Sequence, residues 1–187
     1  MRCAISVIGA GENATAKDMA AAEELGELIA LQRWVVLSGG RNVGIMHAVN
    51  VGAKRVPDGL TIGIIPHQRT AVSESVDVAI VTDMNNARNN IIALSGDVIV
   101  ACGVGGAGTA SEIALAMKAG KDVIFLNGDP NAVTYFQALA PARVHIAADP
   151  AAVIDTIRGL KPAPCEQRQS HGMNHTAEKD RERIGDR

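Results

Sequence analysis

Asp97-Val-Ile-Val-Ala-Cys-Gly-Val-Gly-Gly-Ala-Gly-Thr-Ala-Ser-Glu112 is an apolar run that breaks into glycines at 103, 105, 106 and 108 and then resumes with helical residues. The pattern predicts a short strand, a glycine turn and a helix from about Thr109 to Ala119. Glycines lack a Cβ, so such a turn can be sharp and its backbone can approach a ligand closely. The helix behind it offers unpaired amides and the positive end of its dipole, which favours a phosphate or another oxyanion. Gly103-x-Gly105-x-x-Gly108 also satisfies the dinucleotide fingerprint, with Asp129 about twenty residues on as an acceptor for a ribose hydroxyl. Thr109-x-x-Glu112 has two readings: a capping box that satisfies backbone donors at the helix start, or a Glu112 turned into the ligand crevice as a charge stabiliser.

Working outward, the same unit recurs upstream. Ala4 to Ile8 is an apolar run ending in Gly9-Ala-Gly11, followed by a helical pattern with Met19, Leu25, Leu28 and Ile29 near one face. Thr15-x-x-Asp18 there repeats part of the capping pattern. The second strand, Trp34 to Leu37, ends in Ser38-Gly39-Gly40 without an acid to hold a ribose, which argues against a dinucleotide site of the NAD type. Arg41 at this turn reads as an anion partner or, more ordinarily, as a solvated loop arginine, and Gly44 leads into a helix near Ile45 to Lys54. Pro57-Asp-Gly59 turns the chain into a third strand, Leu60 to Ile65, that stops at Pro66. His67 has no companion at metal spacing and reads as surface loop. The fourth strand, Val76 to Val81, exits into Thr82-Asp-Met-Asn-Asn-Ala-Arg-Asn-Asn90, where four asparagines surround Arg88 and offer directional hydrogen bonds beside one fixed positive charge.

Downstream come strands at Asp122 to Leu126 and Val144 to Ala147, a helix carrying Tyr135 and Phe136, and a helix from Pro150 to Arg158. The alternation predicts an α/β fold, a Rossmann-like open parallel sheet of about seven strands with helices on both faces and a crevice at the carboxyl ends where strand order reverses. Residues 1–160 form the expected ligand-binding domain. From Lys161 the periodicity disappears into a polar tail, 161–187, expected to be disordered or to gain a short helix by docking on another subunit. His171 and His175 in it are spaced i, i+4, which chance explains.

Size and composition set further bounds. The 187 residues, 47% hydrophobic and 20% charged, suit one soluble domain. A formal charge of -2 gives no general attraction to nucleic acid or anionic membrane, and no apolar run approaches membrane-spanning length. Because Met1 opens almost directly onto a strand, no signal peptide is expected and the protein is placed in the cytoplasm. Cys3, Cys102 and Cys165 are odd in number and widely separated, which predicts reduced thiols. Cys102, bordering the glycine loop, reads chiefly as a small buried thiol. Low aromatic content and alanine-rich helices suit closely packed helix faces and a homo-oligomer, a dimer or tetramer.

Taken together, Gly9-Ala-Gly11, Ser38-Gly39-Gly40 with Gly44-Ile45-Met46, Asn86-Ala87-Arg88-Asn89, and Gly105-Gly106-Ala107-Gly108-Thr109 with Ser111-Glu112 resemble the Rossmann-like LOG superfamily, formerly labelled lysine decarboxylase-like. Over roughly residues 4 to 158 the chain is similar to the branch that contains molybdenum cofactor carrier proteins and DprA-related nucleotide-binding proteins. In the phosphoribohydrolase members the pattern has an arginine followed by lysine and a proline-led glycine loop ending in glutamate. Here Arg88 and Glu112 fall in those places, but Asn89 stands for the lysine, no proline precedes Gly105-Gly106, and the spacing is one residue longer. The Ala-Arg-Asn stretch and the helix after Ser111 look more like the carrier branch. The resemblance therefore implies a protein that binds, stores or carries molybdenum cofactor, a phosphorylated pterin with a metal oxo group, and implies no other cofactor. Gly9, Gly11, Ser38, Gly39, Gly40, Gly44, Arg88, Asn89, Gly105, Gly106, Gly108, Thr109 and Glu112 are the expected ligand-binding residues. The alternative is an enzyme that cleaves the N-glycosidic bond of nucleoside 5'-monophosphates, in which Arg88 and Glu112 stabilise a ribosyl cation. A DNA-processing accessory would call for a basic surface that the composition lacks.

Overall fold

The computed structural model describes residues 2–103 and 105–160 of the chain. Seven strands form one parallel sheet: β1 (Ala4–Gly9), β2 (Val35–Ser38), β3 (Leu60–Ile65), β4 (Val78–Val81), β5 (Val98–Cys102), β6 (Asp122–Leu126) and β7 (Val144–Ala147), in the order β4-β3-β2-β1-β5-β6-β7. Between and after them run α1 (Ala16–Leu31), α2 (Gly44–Ala53), α3 (Asn89–Ser95), α4 (Ala107–Lys118), α5 (Pro130–Leu139) and α6 (Pro150–Leu160). The expected architecture is present.

The central strands are apolar at nearly every position because both of their faces are covered. Val98, Val100 and Cys102 of β5 pack with α1, α2 and α6, whereas Ile99 and Ala101 pack with α3, α4 and α5. Strand β6 divides the same way, with Ile124 and Leu126 on the first side and Val123 and Phe125 on the second. A polar group inside this core must be satisfied, and buried Ser6 donates its hydroxyl to the Ile92 carbonyl at 2.8 Å. Trp34, just before β2, is buried in the core.

Strand order reverses between β1 and β5, which pair in register with Gly9 opposite Cys102. The turns leaving these two strands therefore diverge to opposite sides of the sheet and leave a crevice at its carboxyl edge. The edge strand β4 differs from the rest: Val78, Ile80 and Val81 are 45–46% exposed. It also starts at Val78 rather than Val76, and Asp77 just before it accepts the Thr61 amide through its side chain. Cys3 is disulfide-bonded, a correction to the expected reduced thiol. The expected tail, with Cys165, His171 and His175, lies outside the described residues. Among the described residues no helix is long and apolar enough to cross a membrane.

Candidate functional site

Helix α4 begins earlier than the Thr109 cap predicts. Gly106 is its N-cap at φ 137°, a conformation open to glycine and strained for other residues, and as a glycine it brings no side-chain cap. The capping-box reading of Thr109 and Glu112 is thereby corrected. With Ala107 as the first helical residue, Thr109, Glu112, Ile113 and Ala116 fall on one buried face. Glu112 then points across the crevice at Arg88, which closes a 3₁₀ turn (Asn85–Arg88) after β4.

Two joined cavities occupy the crevice. The smaller, about 230 Å³, lies over the β1 and β5 turns and is bordered by Gly9, Gly11, Gly39, Gly105, Gly106 and Gly108, with Arg88, Asn89, Thr109 and Glu112. The larger, about 500 Å³, extends over the β2 and β3 turns and is bordered by Asn42, His67, Thr70, Asn85 and Asn86. Arg41, Asn86 and Arg88 border both. A side chain at Gly105 would collide with Ala10, its Cβ falling 2.2 Å from that of Ala10, whereas Gly106 and Gly108 face open space. The glycine turn thus packs tightly on one side and leaves its other side clear for a ligand.

Three expected site residues stand behind this surface rather than on it. Ser38 is buried, and its hydroxyl accepts from the Gly40 amide at 3.1 Å and the Asn50 side-chain amide at 3.2 Å, which sets the β2 turn. Gly40 packs on Gly63 and Ile65, and Gly44 sits against the carbonyls of Ala10 and Gly11. Asn89 borders the small cavity while donating to the Ser111 hydroxyl at 3.0 Å, so it also ties α3 to α4.

The electrostatics centre on Arg88 and Glu112, 3.4 Å apart. Burial pushes the Glu112 carboxyl up to about 7, against the pull of the Arg88 charge. Burial also lowers the Arg88 guanidinium, and the nearby positive charge of Arg41 acts in the same direction. Among the described residues, buried Arg88 Nε has no hydrogen-bond partner. An incompletely satisfied guanidinium beside glycine-turn amides is suited to accept an anion.

Other residues resolve differently from their sequence readings. Arg41 is not a free loop arginine: it pairs with Glu12 at 2.6 Å at the mouth of the crevice. His67 borders the larger cavity, with Nδ1 3.4 Å from the Thr70 hydroxyl. The segment that carries it is strapped to the β2 turn, because Asn42 and Ser73 donate their amides to the Ala71 and Gly40 carbonyls, each at 2.9 Å. A hydrogen bond of 2.9 Å between His47 Nδ1 and the Ser73 hydroxyl adds to the strap. Cys102 is fully buried, bonded to the Asp18 carbonyl at 3.4 Å, and burial raises its thiol to about 12, so it stays protonated and unreactive. Asp129 caps α5 by accepting from the Asn131 and Ala132 amides, which replaces the ribose reading.

Known proteins share this architecture and much of the sequence. The molybdenum cofactor binding protein of the phototrophic bacterium Rippkaea orientalis is 50% identical, with a TM-score of 0.82 over 86% of this chain and 98% of that one. The molybdenum cofactor carrier protein MCP of Chlamydomonas reinhardtii is 41% identical, with a TM-score of 0.81 over the same shares. An uncharacterized protein of Archaeoglobus fulgidus is 43% identical over 122 residues, 65% of this chain and 78% of its own length. Residues 2–154 match the SLOG cluster4 family, and with the glycine turns and the Arg88–Glu112 pair gathered at one switch point, the chain belongs to that family of the LOG-like Rossmann superfamily.

Proposed function

We propose that this chain binds, stores or carries molybdenum cofactor. The observation that carries the reading is the 41–50% identity, over nearly the whole of each relative, to proteins that bind or carry that cofactor. The site chemistry fits the group. Backbone amides of the 105–109 turn suit its phosphate, open space at Gly106 and Gly108 leaves room for it, and buried Arg88 Nε supplies a donor in search of an acceptor. Asn85 and Asn86 offer amide hydrogen bonds to a polar heterocycle. The bound group would bring an anionic metal centre, while the chain supplies orientation and shelter.

Protein purified from cells with intact cofactor synthesis is expected to retain a pterin, seen by fluorescence after acid oxidation, together with molybdenum in metal analysis. Absence of both, with no uptake on reconstitution, would refute the carrier reading. A second reading, hydrolysis of nucleoside 5'-monophosphates, is supported by one observation, that Arg88 and Glu112 face each other across the same crevice. Rapid release of ribose 5-phosphate from adenosine 5'-monophosphate, lost in Glu112→Gln, would favour it.

The working form we propose is a cytoplasmic homo-oligomer, a dimer or tetramer. The exposed apolar positions of β4 supply a surface of the kind that subunit contact covers.

A further inference from the structure

Arg41 and Arg88 reach the crevice from different turns and each is seated on a glycine. A Cβ at Gly11 would lie 3.6 Å from Arg41 Nη1, and one at Gly39 would lie 3.0 Å from Arg88 Nη1. The two guanidiniums flank the junction of the two cavities. Their carboxylate partners differ in kind. Glu112 is buried beside the glycine turn, whereas Glu12 sits at the mouth with its side chain 69% exposed. The Glu12 carboxyl is held below the usual carboxylate range, chiefly by a backbone hydrogen bond and then by Arg41, so it is ionised. An exposed ion pair of this sort contributes little to stability and exchanges readily. The larger cavity beyond it presents amide, hydroxyl and imidazole groups beside the smaller apolar surfaces of Val43, Pro66 and Ala71. This describes a place for a charged, polar end of a ligand.

We propose that Arg41 forms a second anion subsite, separate from the glycine-turn cradle, in which Glu12 holds the guanidinium until an anionic group of the ligand displaces it. The ligand class is a molecule with two separated anionic groups, and on the carrier reading, on which the identity of that ligand rests, the second is the metal-bearing end. Glu12 acts as an internal competitor. A ligand with a phosphate alone gains nothing at Arg41, so the exchange selects for the two-ended molecule.

Inorganic phosphate is the first probe, titrated by calorimetry into wild type, Glu12→Gln, Arg41→Gln and the double variant, with thermal unfolding to confirm the fold of each. The charge-assisted bond predicts that Glu12→Gln binds two phosphates per chain, the second at least about tenfold tighter than in wild type. Arg41→Gln and the double variant are expected to bind one. A single phosphate in Glu12→Gln, or a second that persists in the double variant, would overturn the subsite. Molybdenum cofactor is the second probe, and Arg41→Gln is expected to lower its affinity at least about tenfold. Equal cofactor affinity in wild type and Arg41→Gln would also overturn the proposal. If wild type fails to bind the cofactor while the phosphate stoichiometry follows expectation, the carrier reading falls and the subsite stands.

Discussion

Arg88 Nη1 lies 3.4 Å from Glu112 Oε1, a long contact between side chains only 12% and 9% exposed. The arginine is lowered and the glutamate raised, each toward its neutral form, so burial outweighs their mutual attraction. Such a pair is a poor source of stability. It is better understood as a charged site held ready by the fold, and strongly shifted groups of this kind gather where ligands bind.

The Glu112 shift has a definite sign. Its carboxyl rises from 4.5 in the unfolded chain to about 7 in the native one, so between those values the folded protein holds the extra proton and stability falls as pH rises. By pH 8 the full cost is about 3 kcal/mol, absent below pH 4.5. Urea unfolding at pH 5 and 8 should show this loss, and Glu112→Gln should remove most of it.

Ligand affinity should follow the same group. A phosphate monoester loses its second proton near pH 6, so a fall in affinity above pH 7 reports the ionising Glu112 rather than the ligand. Binding measured from pH 6.5 to 8.5 should weaken in wild type and stay level in Glu112→Gln. A level wild-type profile would separate Glu112 from the anion site.

Arg88→Lys keeps the charge but removes Nε and the planar fork. Affinity for molybdenum cofactor should drop by roughly tenfold or more, with little change in unfolding midpoint. Affinity equal to wild type would mean that any cation at this position suffices.

The glycines of the turn should separate by position. Gly105→Ala drives a methyl into Ala10 and should destabilise the fold by roughly 1–3 kcal/mol. Gly108→Ala enters open space on a helix and should leave stability unchanged or raise it by roughly 0.5 kcal/mol. Gly106→Asp combines a strained φ with a negative charge over the amides and should abolish binding of phosphate-bearing ligands. Wild-type affinity in that variant would place the site elsewhere.

Light scattering at micromolar concentration should report a dimer or tetramer. Ile80→Lys, which places a charge on the exposed edge strand, should reduce its mass. A wild-type monomer would refute the assembly.

Much of this architecture was legible because apolar runs and glycine exits alternate so regularly. The bounds of β3, β6 and β7 read from sequence agree with the structure. Thr15 caps α1, accepting the Asp18 amide, as its pattern suggested. The same pattern misled at Thr109, because the φ of Gly106 starts α4 two residues sooner, a backbone choice that leaves no mark in side-chain spacing. Arg41 and Glu12 escaped notice as partners for another reason. They stand 29 residues apart and meet only because β1 and β2 are neighbours in the sheet, so only the strand order could have paired them.

Ile45 donates its amide to the Ala10 carbonyl at 3.0 Å, and Gly44, at φ 53°, lies where a Cβ would come within 2.2 Å of the Gly11 carbonyl. Backbone clasping backbone leaves the floor of the crevice with almost no freedom to surrender when a ligand arrives. A preformed floor spares binding much of its ordering entropy, and the tightness of holding is expressed as residence time. On the carrier reading proposed above, this makes release of the ligand, rather than its capture, the slow step.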